Sequence, residues 1–596
     1  MRRKSCAGMG LAFGMALAAA VPARAIITSE IFDTPPQQYT YINAQIGATT
    51  FYNNGFTGAS AVIANIEAGF IWDGQESLTQ DTIEFGSPQA AGQVDQHATW
   101  VGSILNGNAP ATYAVGSAAY YGYMGIAPGA TVWSGDVATQ WTDAGADDYS
   151  TGFVSTTATV QTAYDEAIVS GVPEANYATA DVINSSWGNS GGDDDGSSLD
   201  QLILDGLIAQ SGQLGAAKTV VVAAGNSGPG DNSMDTFPAS SGNVITVGAL
   251  QSSGTPPTYP SIASFSSRSP SDFFDPVTNT EIPDARALVD LVAPGTDLVA
   301  AEYDGQTGGN AFGGGVPDPS ASQVAYGLGG TSFASPIVAG GAALVVDAGK
   351  QEFPSDPNAI DGRVVKAVLM NSATKPAGWN NGQQNVNGVI TTSQALDYTY
   401  GAGEINLTQA YNQYLGGTTD VASPGNFGSV NVQNLGWAFG AISHEPGETV
   451  TEDYRIAEPV NAGDTMAATL VWFDDEMDAD SPGSGYGSLD DLDLSIYLTS
   501  GVSQPELIAE SDAMYDSLQH LYFTLPVTGT YEMEISETNY VYNFVGDTTT
   551  DFGLAWSAVP EPTAMTLLAF ASFMILARRK RPGNFSLAPA AGGKGE

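Results

Sequence analysis

Between about residues 58 and 415 the chain alternates two kinds of apolar pattern. Short, almost unbroken runs rich in Val, Ile and Ala fall at 61–66, 130–137, 180–185, 218–224 and 244–250. Runs with helical spacing fall at 159–170, 199–213, 335–348 and 363–371. A strand that is apolar on both faces must be covered on both. Interleaved helices supply that cover, so the pattern predicts a parallel α/β sheet with flanking helices. A Gly-, Pro- and Ser-rich loop interrupts it at 305–327. From residue 421 to 556 the chain carries short alternating runs without helical period, at 467–472, 492–498, 520–524 and 530–535. That change predicts a second, all-β domain of sandwich or jelly-roll type.

The two ends carry different signals. Residues 1–25 combine Arg2, Arg3 and Lys4, an apolar stretch from Gly8 to Val21 and the triplet Ala23-Arg24-Ala25. This is the order of a secretory signal peptide, so the mature chain is expected to begin near Ile26. Only about 40 residues then precede Glu67, which leaves no room for a folding pro-domain before the α/β region. The one cysteine, Cys6, falls in the leader, so no disulfide is expected in the mature chain.

Residues 559–581, VPEPTAMTLLAFASFMILARRKR, hold a Pro-Glu-Pro triplet, a short apolar run and a basic cluster. The run is shorter than the roughly 20 residues of a comfortable bilayer crossing, and the basic cluster belongs on the cytoplasmic side. In order and composition this segment resembles the PEP-CTERM sorting signals of bacterial exported proteins. That resemblance implies a transient inner-membrane anchor cut by a sorting peptidase, and a secreted or cell-envelope destination. The tail 582–596 departs from the pattern, which usually stops at the basic residues.

Charge narrows the partners. The chain has 17 Lys and Arg against 64 Asp and Glu, a formal net charge of −47. Nine of the basic residues lie before Ile26 or from Arg578 onward, leaving eight for the body. Such a surface repels nucleic-acid phosphates and anionic lipids. It attracts cations, and the dense carboxylates at 193–195, 474–480 and 490–493 raise structural calcium as an expectation, with solvated loop charge as the plainer reading. None has the spacing of an EF-hand.

Candidate chemistry begins at GGTSFASPIVAGGAALV, residues 329–345, where Ser332 precedes a small-residue helix. A serine there can simply cap the helix, and Pro336 suits a first turn. A nucleophilic serine needs a base, and His97 is the one histidine in the α/β region; His444 and His520 lie beyond it. It opens HATWVGSILNG, a helix-like stretch with small residues on one side. The run KTVVVAAGN, 218–226, places Asn226 just past a buried strand, at the edge where open α/β sheets build their sites. An amide there and the Ser332 N–H would be oxyanion donors.

These blocks together are similar to the subtilisin-like serine proteases, the subtilases. GTSFASPIVAG resembles their serine motif, HATWVG their histidine motif, VVVAAGN their oxyanion segment and DVINSSWG, 181–188, their substrate-backbone strand. GIAPGA at 125–130, VITVGA at 244–249 and VAPGT at 292–296 match further family signatures, all in family order. The resemblance implies Ser332 as nucleophile, His97 as general base and then acid, and Asn226 in the oxyanion hole. Ser186, Trp187 and Gly188 would pair with an extended polypeptide substrate and wall its primary pocket, opposite Ala223, Ala224 and Gly225. The chemistry requires no cofactor.

The family's Asp-Ser/Thr-Gly block reads Glu67-Ala68-Gly69 here. The order acid, base, nucleophile is kept, but the side chain is longer by about one C–C bond, ~1.5 Å, and displacements of that size cost roughly 100-fold. Asp73 is a second candidate acid past the strand end. The sequence therefore implies a secreted serine endopeptidase with a Ser-His-Glu triad. Its alternative is a catalytically impaired subtilase-like surface protein used in adhesion or matrix assembly.

Overall fold

A computed structural model describes residues 42–78, 82–109, 123–142, 152–189, 194–303, 307–308, 324–443, 449–475 and 485–560. The leader, the sorting segment from residue 561 onward, Cys6, His444, and the carboxylates of Asp193, Glu476, Asp478 and Asp480 lie outside the described residues.

Eight strands make the central sheet: β1 (Val62–Glu67), β2 (Ile83–Gly86), β3 (Thr131–Asp136), β4 (Val182–Ser185), β5 (Thr219–Ala223), β6 (Ile245–Ser253), β7 (Thr258–Ile262) and β8 (Leu291–Pro294). Their order is β8-β6-β5-β4-β1-β3-β2, parallel throughout, with β7 antiparallel on β6. β4 and β5 are buried at every position and β1 at all but its first, so their near-continuous apolarity is the signature of a sheet covered on both faces.

The cover comes from α1 (Gln96–Asn106), α2 (Thr157–Asp165), α3 (Leu199–Leu214), α4 (Thr331–Glu352), α5 (Gly362–Asn371) and α6 (Leu407–Leu415). Thr156 and Ser198 start α2 and α3 with reciprocal capping boxes. α4 contacts β4, β5, β6 and β8 on one side and α1 and α5 on others. It is apolar all round because it is enclosed all round. It is also long and apolar enough to cross a membrane, but it is almost wholly buried inside the fold.

α4 begins at Thr331, four residues before the apolar pattern places its start. Gly330 is its N-cap, Ser332 is its second residue and Pro336 lies inside it. Ser332 is therefore not the cap, and Pro336 is not in the first turn. Proline has no N–H to donate to the carbonyl four residues earlier, that of Ser332.

The rest of the chain forms two facing sheets. One is the seven-stranded order β9-β10-β16-β15-β18-β13-β11, from β9 (Gln384–Val386), β10 (Val389–Thr392), β11 (Gly428–Val432), β13 (Val450–Ile456), β15 (Ser488–Leu498), β16 (Glu506–Ser511) and β18 (Tyr531–Asn543). The other is the four-stranded β12-β19-β14-β17, from β12 (Leu435–Ser443), β14 (Thr465–Trp472), β17 (Leu518–Thr524) and β19 (Thr549–Val559). This is a β-sandwich, with Trp472, Trp556, Tyr454 and Phe552 in its core.

The sandwich docks on α5, which packs against β14 and β19. Gly553 on β19 makes the approach possible, because a Cβ there would fall 2.5 Å from the Arg363 carbonyl carbon. Arg363 is held by Asp361, at 2.9 and 3.0 Å, and lies over the rings of Phe439 and Phe473. The hairpin β9-β10 precedes residue 415, yet it extends the sandwich: Ile390 pairs with Ala509 in parallel register.

Candidate active site

Three chain segments meet at the carboxyl ends of the parallel strands. Glu67 is the last residue of β1, and its side chain is 1% exposed. His97 is the second residue of α1, whose N-cap Asp95 accepts from the His97 N–H at 3.0 Å and from the Ala98 N–H at 3.2 Å. That cap fixes where α1 starts and hence where the imidazole projects.

Glu67 Oε2 lies 3.0 Å from His97 Nδ1. The other carboxylate oxygen, Oε1, accepts the Ser186 backbone N–H at 2.8 Å. Both oxygens are therefore committed, and the carboxyl group is held in one orientation. The longer side chain reaches the ring without a gap. Asp73 is exposed, and Glu67 is the acid of the two that is placed at the imidazole. Burial opposes a charge on His97, but Glu67, with help from Asp95, outweighs it and raises the pKa above 6.5.

The ring is also packed in place. Phe333 lies 5.9 Å from it and Trp100 6.4 Å, centroid to centroid. Phe333 directly follows Ser332, so this contact sets the imidazole beside the N-terminus of α4. Ser332 is partly exposed. Its N–H belongs to a first helical turn, where no helical acceptor exists.

Asn226 follows β5. Its Oδ1 accepts from the Thr331 N–H at 2.9 Å and from the Thr331 hydroxyl at 3.2 Å. With the oxygen so occupied, the amide nitrogen is turned away from Thr331 and is left as a donor. Thr331 Oγ1 in turn accepts from the Gly225 N–H at 3.2 Å. Gly225 has φ of +106°, a conformation that suits glycine.

Ser186 is buried, and its backbone serves Glu67 as described. Trp187 turns its indole inward, donating to the Ile66 carbonyl at 3.0 Å and packing on Phe153 and Phe237, each 5.6 Å away. Gly188 follows at the surface of this segment. Ala223 ends β5, with Ala224 and Gly225 next. Beneath the site, Asn184 bonds Asn65, Ser186 and Ser335 at 2.9, 3.2 and 2.9 Å, tying β1, β4 and α4 together.

The roles of Asp95, Thr331 and Asn184 were not read from the sequence. Asp95 carried a usable signal, an aspartate just before a helical run. Thr331 and Asn184 carried none, because their partners are distant in sequence.

Of the acidic clusters, Asp491, Asp493 and Asp512 bring one oxygen each within 4.8 Å of one another. Asp195 spends Oδ1 on the Ser197 N–H and hydroxyl, at 3.0 and 2.6 Å.

With this geometry in view, comparison with known proteins places the chain. The model of the subtilase family matches residues 52–403, more than half of the sequence, and the chain belongs to that family. It is 31% identical over 196 residues to serine protease AprX of Bacillus subtilis (strain 168), covering 32% of this chain and 34% of that protein. It is 32% identical over 193 residues to an extracellular basic protease of Dichelobacter nodosus, covering 32% of this chain and 24% of that one. The matched stretches thus span about a third or less of these relatives' lengths.

Proposed function

We propose that the chain is a serine endopeptidase that cuts polypeptides through an acyl-enzyme, using Ser332, His97 and Glu67. Ser332 Oγ attacks the scissile carbonyl carbon, and its proton passes to His97 Nε2. Glu67 keeps the other ring nitrogen protonated and stabilises the imidazolium. The oxyanion accepts from Asn226 Nδ2 and the Ser332 N–H, backed by the α4 dipole. The imidazolium then gives its proton to the leaving amine, the C–N bond breaks, and water repeats the sequence to free Ser332. The segment Ser186–Trp187–Gly188 pairs with the substrate backbone as an added strand. No cofactor enters this chemistry.

The observation that carries this reading is the doubly held carboxylate: Glu67 at 3.0 Å from His97 Nδ1 and at 2.8 Å from the Ser186 N–H. We further infer that residues 1–25 direct export, that 26–415 and 421–556 form the peptidase and sandwich domains, and that 559–581 act as a sorting segment followed by the tail. A fluorophosphonate probe tests the central claim. It labels the folded chain and fails to label Ser332→Ala. A folded chain that resists the probe and cleaves no denatured protein substrate overturns the claim and leaves a surface protein built on the peptidase fold.

A further inference from the structure

Asp235 is a buried acid with no counter-ion among the described residues, and it lies between two glycines of the segments read above as pocket walls. Its backbone N–H donates to the Ala224 carbonyl at 3.1 Å, which fastens it to one wall. A Cβ on Gly225 would fall 2.5 Å from Asp235 Cγ and Oδ1, and a Cβ on Gly188 would fall 2.6 Å from Oδ2. The carboxylate therefore fills the space that side chains at 188 and 225 would take. Bare Cα atoms on both sides are the condition for its presence.

Asp235 is 4% exposed, and Oδ1 is buried without a hydrogen-bond partner. Several other buried acids of this half of the chain are paired. Asp290 meets Lys366 at 2.9 Å, Asp361 meets Arg363 at 2.9 Å, and Asp347 accepts from Thr57, Gly58 and Ser60. An isolated buried carboxylate is costly and persists where a ligand completes it. Burial alone raises the Asp235 pKa, to about 7, the behaviour of an acid lacking its cation.

We propose that Asp235 forms the floor of the primary specificity pocket and selects substrates with arginine or lysine on the acyl side of the cut bond. The inference rests on the peptidase reading and on residues 186–188 and 223–225 walling that pocket. A guanidinium could engage both carboxylate oxygens, whereas an ammonium would meet them as a point charge. An aromatic or aliphatic side chain would leave the carboxylate buried and unpaired.

Two measurements on the full chain separate the inference from the reading beneath it. Peptide p-nitroanilides identical except for a final Arg, Lys, Phe or Leu should be cut with kcat/KM at least about 30-fold higher for the basic pair. Asp235→Asn, a substitution of equal size, should collapse that ratio toward one. Equal or better cleavage after Phe or Leu overturns the inference while leaving the peptidase reading intact.

The second measurement removes catalysis. Ser332→Ala should bind benzamidine, and adding Asp235→Asn should weaken that binding at least tenfold. Benzamidine affinity that ignores Asp235 overturns the inference whatever the chain's activity. Failure of probe labelling at Ser332, by contrast, strikes the peptidase reading itself.

Discussion

Thr331 holds Asn226 by two donors, its N–H at 2.9 Å and its hydroxyl at 3.2 Å, both on Oδ1. The residue before Ser332, the proposed nucleophile, thus orients the amide, and the two proposed oxyanion donors move as one unit with the start of α4. Asn226→Ala is predicted to lower kcat by about 100- to 1,000-fold with little change in KM. Thr331→Val keeps the N–H and loses the hydroxyl, and it should cost kcat about tenfold. Steady-state kinetics on one peptide substrate check both. A fall in affinity at constant kcat for either variant would contradict the orienting role.

Glu67 offers a sharper trial because the family motif has aspartate there. Glu67→Asp looks like a repair, but here the contact with His97 is made by the longer side chain. Shortening it opens the 3.0 Å contact with His97, and kcat/KM is predicted to fall by about 100-fold. Glu67→Gln keeps the size but presents an amide to Nδ1, and should cost about 10,000-fold. If Glu67→Asp is more active than the natural chain, the geometry described here is not the working one.

The acid limb of the pH profile follows from His97. Its pKa is raised above 6.5, with the Glu67 carboxylate outweighing burial. The general base must be neutral, so kcat/KM should climb with pH through a midpoint above 6.5. Removing the negative charge in Glu67→Gln should move that midpoint down. A midpoint below 6 in the natural chain would argue against the pairing.

Stability should show an unusual pH trend. Burial raises Asp474 to about 8 and Asp136, Asp235 and Glu404 to about 7. Each of these is protonated in the folded chain at pH values where the unfolded chain, with ordinary carboxyl pKa values near 4, has released its proton. Between about pH 4 and 8 the folded state therefore holds more protons, and stability falls as pH rises. His97, also raised, contributes in the same sense. Asp347, lowered by its hydrogen bonds against the cost of burial, acts in the opposite sense and only at the acid end. Thermal melts should give a Tm that declines from pH 5 to pH 8, and Asp474→Asn should flatten the decline. A Tm rising steadily over that range would refute this account.

Periodicity read the central sheet well because its strands are enclosed on both faces. The runs at 61–66, 180–185 and 218–224 differ from β1, β4 and β5 by no more than two residues at either end. It read the sandwich less well. β14 is buried at all eight positions, since Met466, Ala468, Leu470 and Trp472 enter the sandwich core while Val471 joins the peptidase core across α5. A strand between two cores has no solvent face to mark. Among candidate site residues, local motifs pointed to Ser332, His97 and Asn226. Asp235 was not among them, because its meaning depends on Gly188, 47 positions earlier in the chain, and on the fold that brings the two together.

The hairpin β9-β10 binds the two regions more closely than a linker would. It leaves the peptidase half before α6 and adds two edge strands to the far sheet. Severing the chain after residue 415 would not liberate two self-sufficient pieces. One would carry a ribbon with nothing to lie against, and the other would expose a raw β edge along residues 509–511. Neither half can be shed as a finished module, so a nick between them would release nothing.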